Sequence, residues 1–167
     1  MKMILETERL RLREFTLDDG ELMLEILNEP GFIRFVADRR IRTPEEAAGY
    51  MAEKILPSYE RYGFGFYVIE RKEDGAPLGM CGLIKRDTLE HVDVGFSIFE
   101  RFWGRGYATE AARAVMQYGL TTLALPRIVA ITAPDNVRSA AVLEKIGLRF
   151  EKMIQLPGYG FESRLFS

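Results

Sequence analysis

Arg101, Gly104 and Gly106 form an R-x-x-G-x-G string within RFWGRGYATEA, residues 101–111, just ahead of an alanine-rich run. One glycine is enough for a turn. Two glycines around an arginine at a strand-to-helix junction let a bulky anion approach the backbone without meeting a Cβ. They also permit positive φ, so that successive N–H groups converge on one point. The first turn of the following helix adds donors that have no intrahelical acceptor, together with the positive end of the helix dipole. Arg101 and Arg105 supply formal charge nearby. The chemistry this suits is capture of a pyrophosphate. Two nucleotide motifs are excluded: no G-K-[S/T] is present, and the third glycine of a dinucleotide fingerprint is replaced by Thr109.

The strand-like segment HVDVGFSIF, residues 91–99, leads into this string. Alternation puts Val92, Val94, Phe96 and Ile98 on one face, and His91, Asp93, Gly95, Ser97 and Phe99 on the other. Asp93 and His91, the single histidine, are therefore titratable neighbours on one face, and an imidazole titrates near neutrality. Cys81 lies mid-strand in GMCGL with no adjacent base and reads as a buried structural thiol. As the only cysteine it provides neither a disulfide framework nor a metal-ligand spacing, so no metal is expected.

The elements that must hold these residues follow from periodicity and punctuation. RLRLREF alternates as a half-buried strand, Leu10 and Leu12 opposite Arg9, Arg11 and Arg13. TLDDGELMLEILNEP predicts a helix capped by Thr16 and stopped by Pro30 and Gly31. RTPEEAAGYMAEKI predicts a second, capped by Thr43 with Pro44 first and Glu46 at the capping-box position. Pro57 breaks or kinks it and Gly63 ends it. GFYVIERKEDGAPLGMCGLIKR predicts two strands around EDGAP, and HVDVGFSIF a third. TEAARAVMQYGLTTL is a helix, RIVAIT a short buried strand, and PDNVRSAAVLEKIG a turn, a helix and a glycine stop. LRFEKMI and GFESRLFS are closing strands. The order is β, two helices, three strands, helix, strand, helix, two strands: one α/β domain over residues 1–167 with a central, mostly antiparallel sheet.

Composition agrees. The 167 residues are 47% hydrophobic and 29% charged, with a net charge of -2 and no basic block to coat a nucleic acid. No apolar run approaches the roughly 18 residues of a membrane span. The start, MKMILETERLRLREF, resembles no signal or transit peptide, and a cytoplasmic protein is expected.

R-x-x-G-x-G between a strand and an alanine-rich helix resembles the acyl-CoA pyrophosphate loop of the GNAT superfamily of N-acetyltransferases. WGRGYATEA is similar to the branch that acetylates ribosomal-protein N-termini (alanine or serine). NVRSAAVLEKIGL, residues 136–148, resembles that superfamily's N-x-x-S helix element, with Leu148 where phenylalanine is usual. ETERLRLREFTLDD resembles the branch's first strand and helix. The resemblance implies a GNAT fold with a mixed, mostly antiparallel seven-stranded sheet, about four flanking helices, and fourth and fifth strands that splay apart. It implies acetyl-CoA as co-substrate. The pantetheine arm would meet the main chain of Phe96, Ser97 and Ile98. The pyrophosphate would meet the amides from Trp103 through Gly104, Arg105, Gly106, Tyr107 and Ala108 to Thr109, with Arg101 nearby. Asn136 would face the pantetheine, and Arg138 and Lys145 the adenosine phosphates.

By the same resemblance an amine attacks the thioester in a ternary complex, with Asp93 as base through water and His91 as the second choice. The leaving thiolate would be served by Ser139, because the position where many members carry a tyrosine is Leu143. A main-chain amide near Ser97 or Ile98 would hold the carbonyl oxygen. Phe32, Phe35, Arg34, Arg39 and Arg40, with Tyr159 and Phe161, would border the acceptor site and suit an acidic or peptide-like amine. A protein N-terminus, a polyamine, an antibiotic amine and an amino acid all stay open, as does a non-catalytic acyl-CoA-sensing module. Homodimerisation enters by resemblance only; no nucleic-acid or membrane partner is expected.

Overall fold

The alternating segments become eight strands: β1 (Met3–Glu6), β2 (Leu10–Glu14), β3 (Phe66–Arg71), β4 (Pro77–Ile84), β5 (Val92–Ile98), β6 (Ile128–Thr132), β7 (Phe150–Gln155) and β8 (Glu162–Phe166). The computed structural model describes residues 2–167. All eight strands join one sheet in the order β1-β2-β3-β4-β5-β6-β8-β7. Every neighbouring pair is antiparallel except β5 and β6, which run parallel.

Six α-helices flank the sheet: α1 (Gly20–Leu27), α2 (Pro30–Phe35), α3 (Pro44–Tyr50), α4 (Leu56–Tyr62), α5 (Tyr107–Thr121) and α6 (Val137–Lys145). Side-chain alternation divides the core. Tyr67, Ile69, Cys81 and Leu83 face the layer holding Ala111, Ala112 and Val115 of α5 and Leu143 of α6. Val68 and Met80 face the opposite layer, holding Met23, Ile26, Ala47 and Met51. Each fully buried aliphatic side chain contributes on the order of 1.5–3 kcal/mol.

The expected caps form. Thr16 and Asp19 make a capping box around a short 3-10 turn ahead of α1, the Thr43 side chain accepts from the Glu46 amide, and Gly63 closes α4 at φ 82°. Three expectations change. β1 is an eighth strand, paired to β2 at the sheet edge. α1 ends at Leu27, just ahead of Pro30 as expected, but Pro30 also opens a further helix, α2, where its missing N–H costs nothing. Pro57, expected to break or kink its helix, is accommodated by a π-helical turn at Met51–Ile55, which widens the backbone where the proline ring would strike the carbonyl four residues earlier, and α4 continues beyond it. The helix count rises from about four to six because α2 is added and the π turn divides the second expected helix into α3 and α4. Arg13, placed by alternation on a polar face, is 7% exposed and held by Asp19 and Glu70.

Candidate active site

β5 and β6 pair at only two positions, Val92 with Ile128 and Asp93 with Val129. β4 follows β5 all the way from Asp93 to Ile98 on its other side. Beyond Asp93 the two parallel strands separate, leaving the β5 edge from Val94 to Ile98 without a strand partner. This is the splay expected between the fourth and fifth strands, which are β5 and β6 here. A cleft fills the opening in two compartments. One, of about 360 Å³, runs toward the glycine loop, and the other, of about 140 Å³, runs toward α3 and β8. Both are lined by Phe96, Ser97, Asn136 and Ser139, so they meet there.

The larger compartment ends on the glycine loop. Gly104 and Gly106 take φ 78° and 81°, the left-handed region that β-carbons disfavour. Trp103 anchors the loop: its indole N–H donates to the Ile98 carbonyl at 2.8 Å, and its amide donates to Glu100 at 3.0 Å. The Ile98 carbonyl and the Trp103 amide are therefore already engaged, and the cradle of donors starts at Gly104. From Gly104 to Thr109, six successive amides find no acceptor among the described residues. The next one, Glu110, donates to the Gly106 carbonyl at 3.0 Å. Unsatisfied donors around two left-handed glycines at a helix start form an anion site.

Most residues expected at the cofactor line this compartment: Phe96, Ser97, Ile98, Trp103, Gly104, Gly106, Tyr107, Ala108, Thr109, Asn136 and Arg138, with Lys145 at its far end. The Arg138 guanidinium stacks on Trp103, 4.4 Å from the ring centroid. Asn136 caps α6, its Oδ1 accepting from the Ser139 amide at 3.2 Å. Ser139 lines both compartments, and its hydroxyl bonds nothing among the described residues.

Arg101 and Arg105 are not in the cleft lining. Arg101 pairs with Glu25 at 2.7 Å and lies over Phe99 and Phe102, which draws it away. Arg105 is exposed and offers its carbonyl to Arg9 at 3.0 Å. Arg9 is the arginine that sequence reasoning missed. It also pairs with Glu110 at 2.7 Å and lies 4.5 Å from the Tyr107 centroid, so it braces the loop from behind. Its only signal was its place on the polar face of RLRLREF.

In the smaller compartment Asp93 is 1% exposed and does not line the cavity. Its Oδ1 accepts from Arg86 Nε at 2.9 Å, and Arg86 Nη1 donates to the Tyr159 hydroxyl at 3.2 Å. Burial pushes the Asp93 carboxyl above the ordinary carboxylate range, against the pull of the Arg86 guanidinium. A carboxylate behind an arginine has no open path to an amine in the cavity. His91 faces Glu90 at 3.8 Å, also off the cleft. Arg39, Tyr50, Arg86 and Tyr159 line the compartment, Leu143 closes its floor, and no carboxylate or imidazole faces it among the described residues. Burial raises the Tyr50 phenol, with Arg39 and Arg86 opposing, so it stays neutral at pH 7. Arg34 instead reaches Asp135, and Arg40 lies outside the lining.

A family model described as an acetyltransferase (GNAT) domain matches residues 9–149. The chain belongs to the GNAT acetyltransferase family. It is 30% identical over 149 residues to the N-acetyltransferase YnaD of Bacillus subtilis, covering 89% of this chain and 84% of that one. An acetyltransferase structure from Agrobacterium tumefaciens superposes with a TM-score of 0.82 at 28% identity, over 99% of this chain and 93% of that chain. The ribosomal L7/L12 α-N-protein acetyltransferase RimL, solved with coenzyme A, has the same fold: TM-score 0.83 at 17% identity, over 99% of this chain and 96% of that one. This GNAT protein is an acetyl-CoA-dependent N-acetyltransferase, with acetyl-CoA as its co-substrate, and the non-catalytic sensing module is set aside. Among the described residues no cluster of three or more potential ligands could hold a metal ion, and no helix is long and apolar enough to cross a membrane.

Proposed function

We propose that this GNAT protein moves an acetyl group from acetyl-CoA to a primary amine by direct attack, with both substrates in the cleft at once. The observation that supports this is the junction of the two compartments at Phe96, Ser97, Asn136 and Ser139, beside the open edge of β5. The amides from Gly104 to Thr109 hold the pyrophosphate, and the outward-facing main chain of Phe96 with the Ile98 N–H aligns the pantetheine arm, the Ser97 main chain being turned to Met80 of β4. The thioester then lies where the compartments meet, and the amine approaches from the smaller one. Acetyl-CoA supplies an activated acyl group. The chain orients it, and an amide on the exposed β5 edge stabilises the negative charge that develops on the carbonyl oxygen.

Two residues take roles that follow from their surroundings. Ser139, whose hydroxyl has no other partner, donates to the departing sulfur, a thiolate with an intrinsic pKa near about 8.5. Asp93 acts as a positioning residue that holds Arg86 at the wall of the acceptor compartment. The amine loses its proton to water, since no side chain facing that compartment can serve as base. Titration calorimetry with acetyl-CoA, followed by thiol release against amines in the same sample, tests the reading. Micromolar binding with release supports it, and absence of binding refutes it.

A further inference from the structure

The smaller compartment contains more polar chemistry than a generic amine needs. Arg39 has no carboxylate partner among the described residues. Arg86 spends Nε on Asp93 and Nη1 on Tyr159, and its Nη2 is left over. Thr132 and Ser163 also line the cavity. They are 7% and 1% exposed, and neither hydroxyl finds a hydrogen-bond partner in the fold. Both hydroxyl oxygens are themselves sealed from the cavity, so the free donors that face it are on Arg39 and Arg86. With Arg86 balanced by Asp93, Arg39 leaves the compartment net positive.

We propose that the acceptor is a small amine carrying an anionic group, a carboxylate or phosphate, held between Arg39 and Arg86. This rests on the ternary-complex reading above. The cavity of about 140 Å³ is close to the roughly 150 Å³ that accommodates a benzene-sized molecule, which favours a compact amine over a folded protein's N-terminus. A diamine or polyamine would bring a second ammonium against the unneutralised Arg39 guanidinium. Phe66, Tyr50 and Tyr159 give the compartment aromatic walls that limit water and strengthen the charge contact.

The test is acetyl-CoA-dependent thiol release with four probes of one size: β-alanine, its amide, 2-aminoethylphosphonate and 1,3-diaminopropane. An acidic-N-terminus hexapeptide is run beside them. Either anionic amine should exceed the amide in kcat/KM by at least about tenfold, the effect of one charge-assisted hydrogen bond. Whichever anion leads identifies the group. Arg39 is exposed, so R39E should fold; it should reverse the order and make the diamine the better substrate. Equal or better turnover of the amide or diamine by the parent protein overturns the proposal. So does an unchanged preference in R39E, turnover of the peptide alone, or silence of every amine while acetyl-CoA is bound. Failure to bind acetyl-CoA overturns the ternary-complex reading instead.

Discussion

Gly104→Ala separates the loop's backbone geometry from its chemistry. Gly104 holds φ 78°, and a β-carbon added there would meet no heavy atom within 4 Å. The whole penalty is therefore conformational, about 1–2 kcal/mol for an L-residue in the left-handed region. That energy must appear in one of two measurements. If the free variant keeps the left-handed turn, the melting temperature falls by roughly 2–8 °C for a chain of this size, and affinity for acetyl-CoA is unchanged. If the free loop relaxes, the amides turn away from one another. The melting temperature then holds, and the dissociation constant rises roughly 5- to 30-fold because binding must restore the turn. Intermediate cases divide the same total between the two. Differential scanning calorimetry of the free protein and titration calorimetry with acetyl-CoA measure both terms. A variant matching the parent in both would refute the claim that the bound loop needs a left-handed residue at 104.

Ser139→Ala should leave acetyl-CoA affinity within about twofold and lower kcat about 10- to 100-fold, one hydrogen bond to a developing charge; an unchanged kcat would remove Ser139 from the leaving sulfur. Arg9→Ala exposes the charge of Glu110 beside the anion site, so acetyl-CoA affinity should fall several-fold, while the partly exposed Arg9–Glu110 pair itself is worth under about 1 kcal/mol in a melt. For Asp19, burial raises the carboxyl, but hydrogen bonds from Arg13 and the Thr16 amide outweigh it and hold the group below the ordinary range. Its stabilising effect is therefore complete above the unfolded value of about 3.9 and is lost as pH falls through the lower folded value, so Asp19→Ala, which leaves Arg13 paired with Glu70, should cost about 1.5–3 kcal/mol at pH 7 and progressively less in acid-denaturation curves. The acid limb of kcat/KM should follow the acceptor's own amine pKa, moving by about two units between an α-amine and a lysine-type amine; a limb fixed for all acceptors would reveal a titrating side chain.

The anion loop was legible because its signal is local: two glycines at fixed spacing, a strand before and a helix after. The splay was expected only through family resemblance, since nothing in IVAIT states that it leaves β5 after two pairs. Asp93 shows how face assignment can mislead. Alternation correctly separated it from Val92 and Val94, but could not say that Arg86 would cover it. The β4–β5 hairpin brings the two together: Ile84 pairs with Asp93, which puts the residues just after β4 beside the start of β5. Arg101 erred in the same way, since its partner Glu25 lies 76 residues away on α1. Pro30 and Pro57 were read by their usual role as helix breakers, where the chain uses one as a helix start and accommodates the other with a π turn.

The acceptor compartment was the least legible part because, beyond Asn136 and Ser139 of the N-x-x-S element, its polar residues come from separate places in the chain: Arg39 follows α2, Arg86 follows β4, Thr132 ends β6, and Tyr159 and Ser163 belong to the β7–β8 hairpin. What they share is physical. Positive charge around a bound ammonium favours its neutral form, the form that attacks a thioester. Under the function proposed above, the unneutralised charge of Arg39 lowers the proton barrier of an amine bound in the compartment, which makes a positioned base less necessary. Asp93 fits the proposed scheme without touching the substrate: a buried carboxyl fixes Arg86 at the compartment wall.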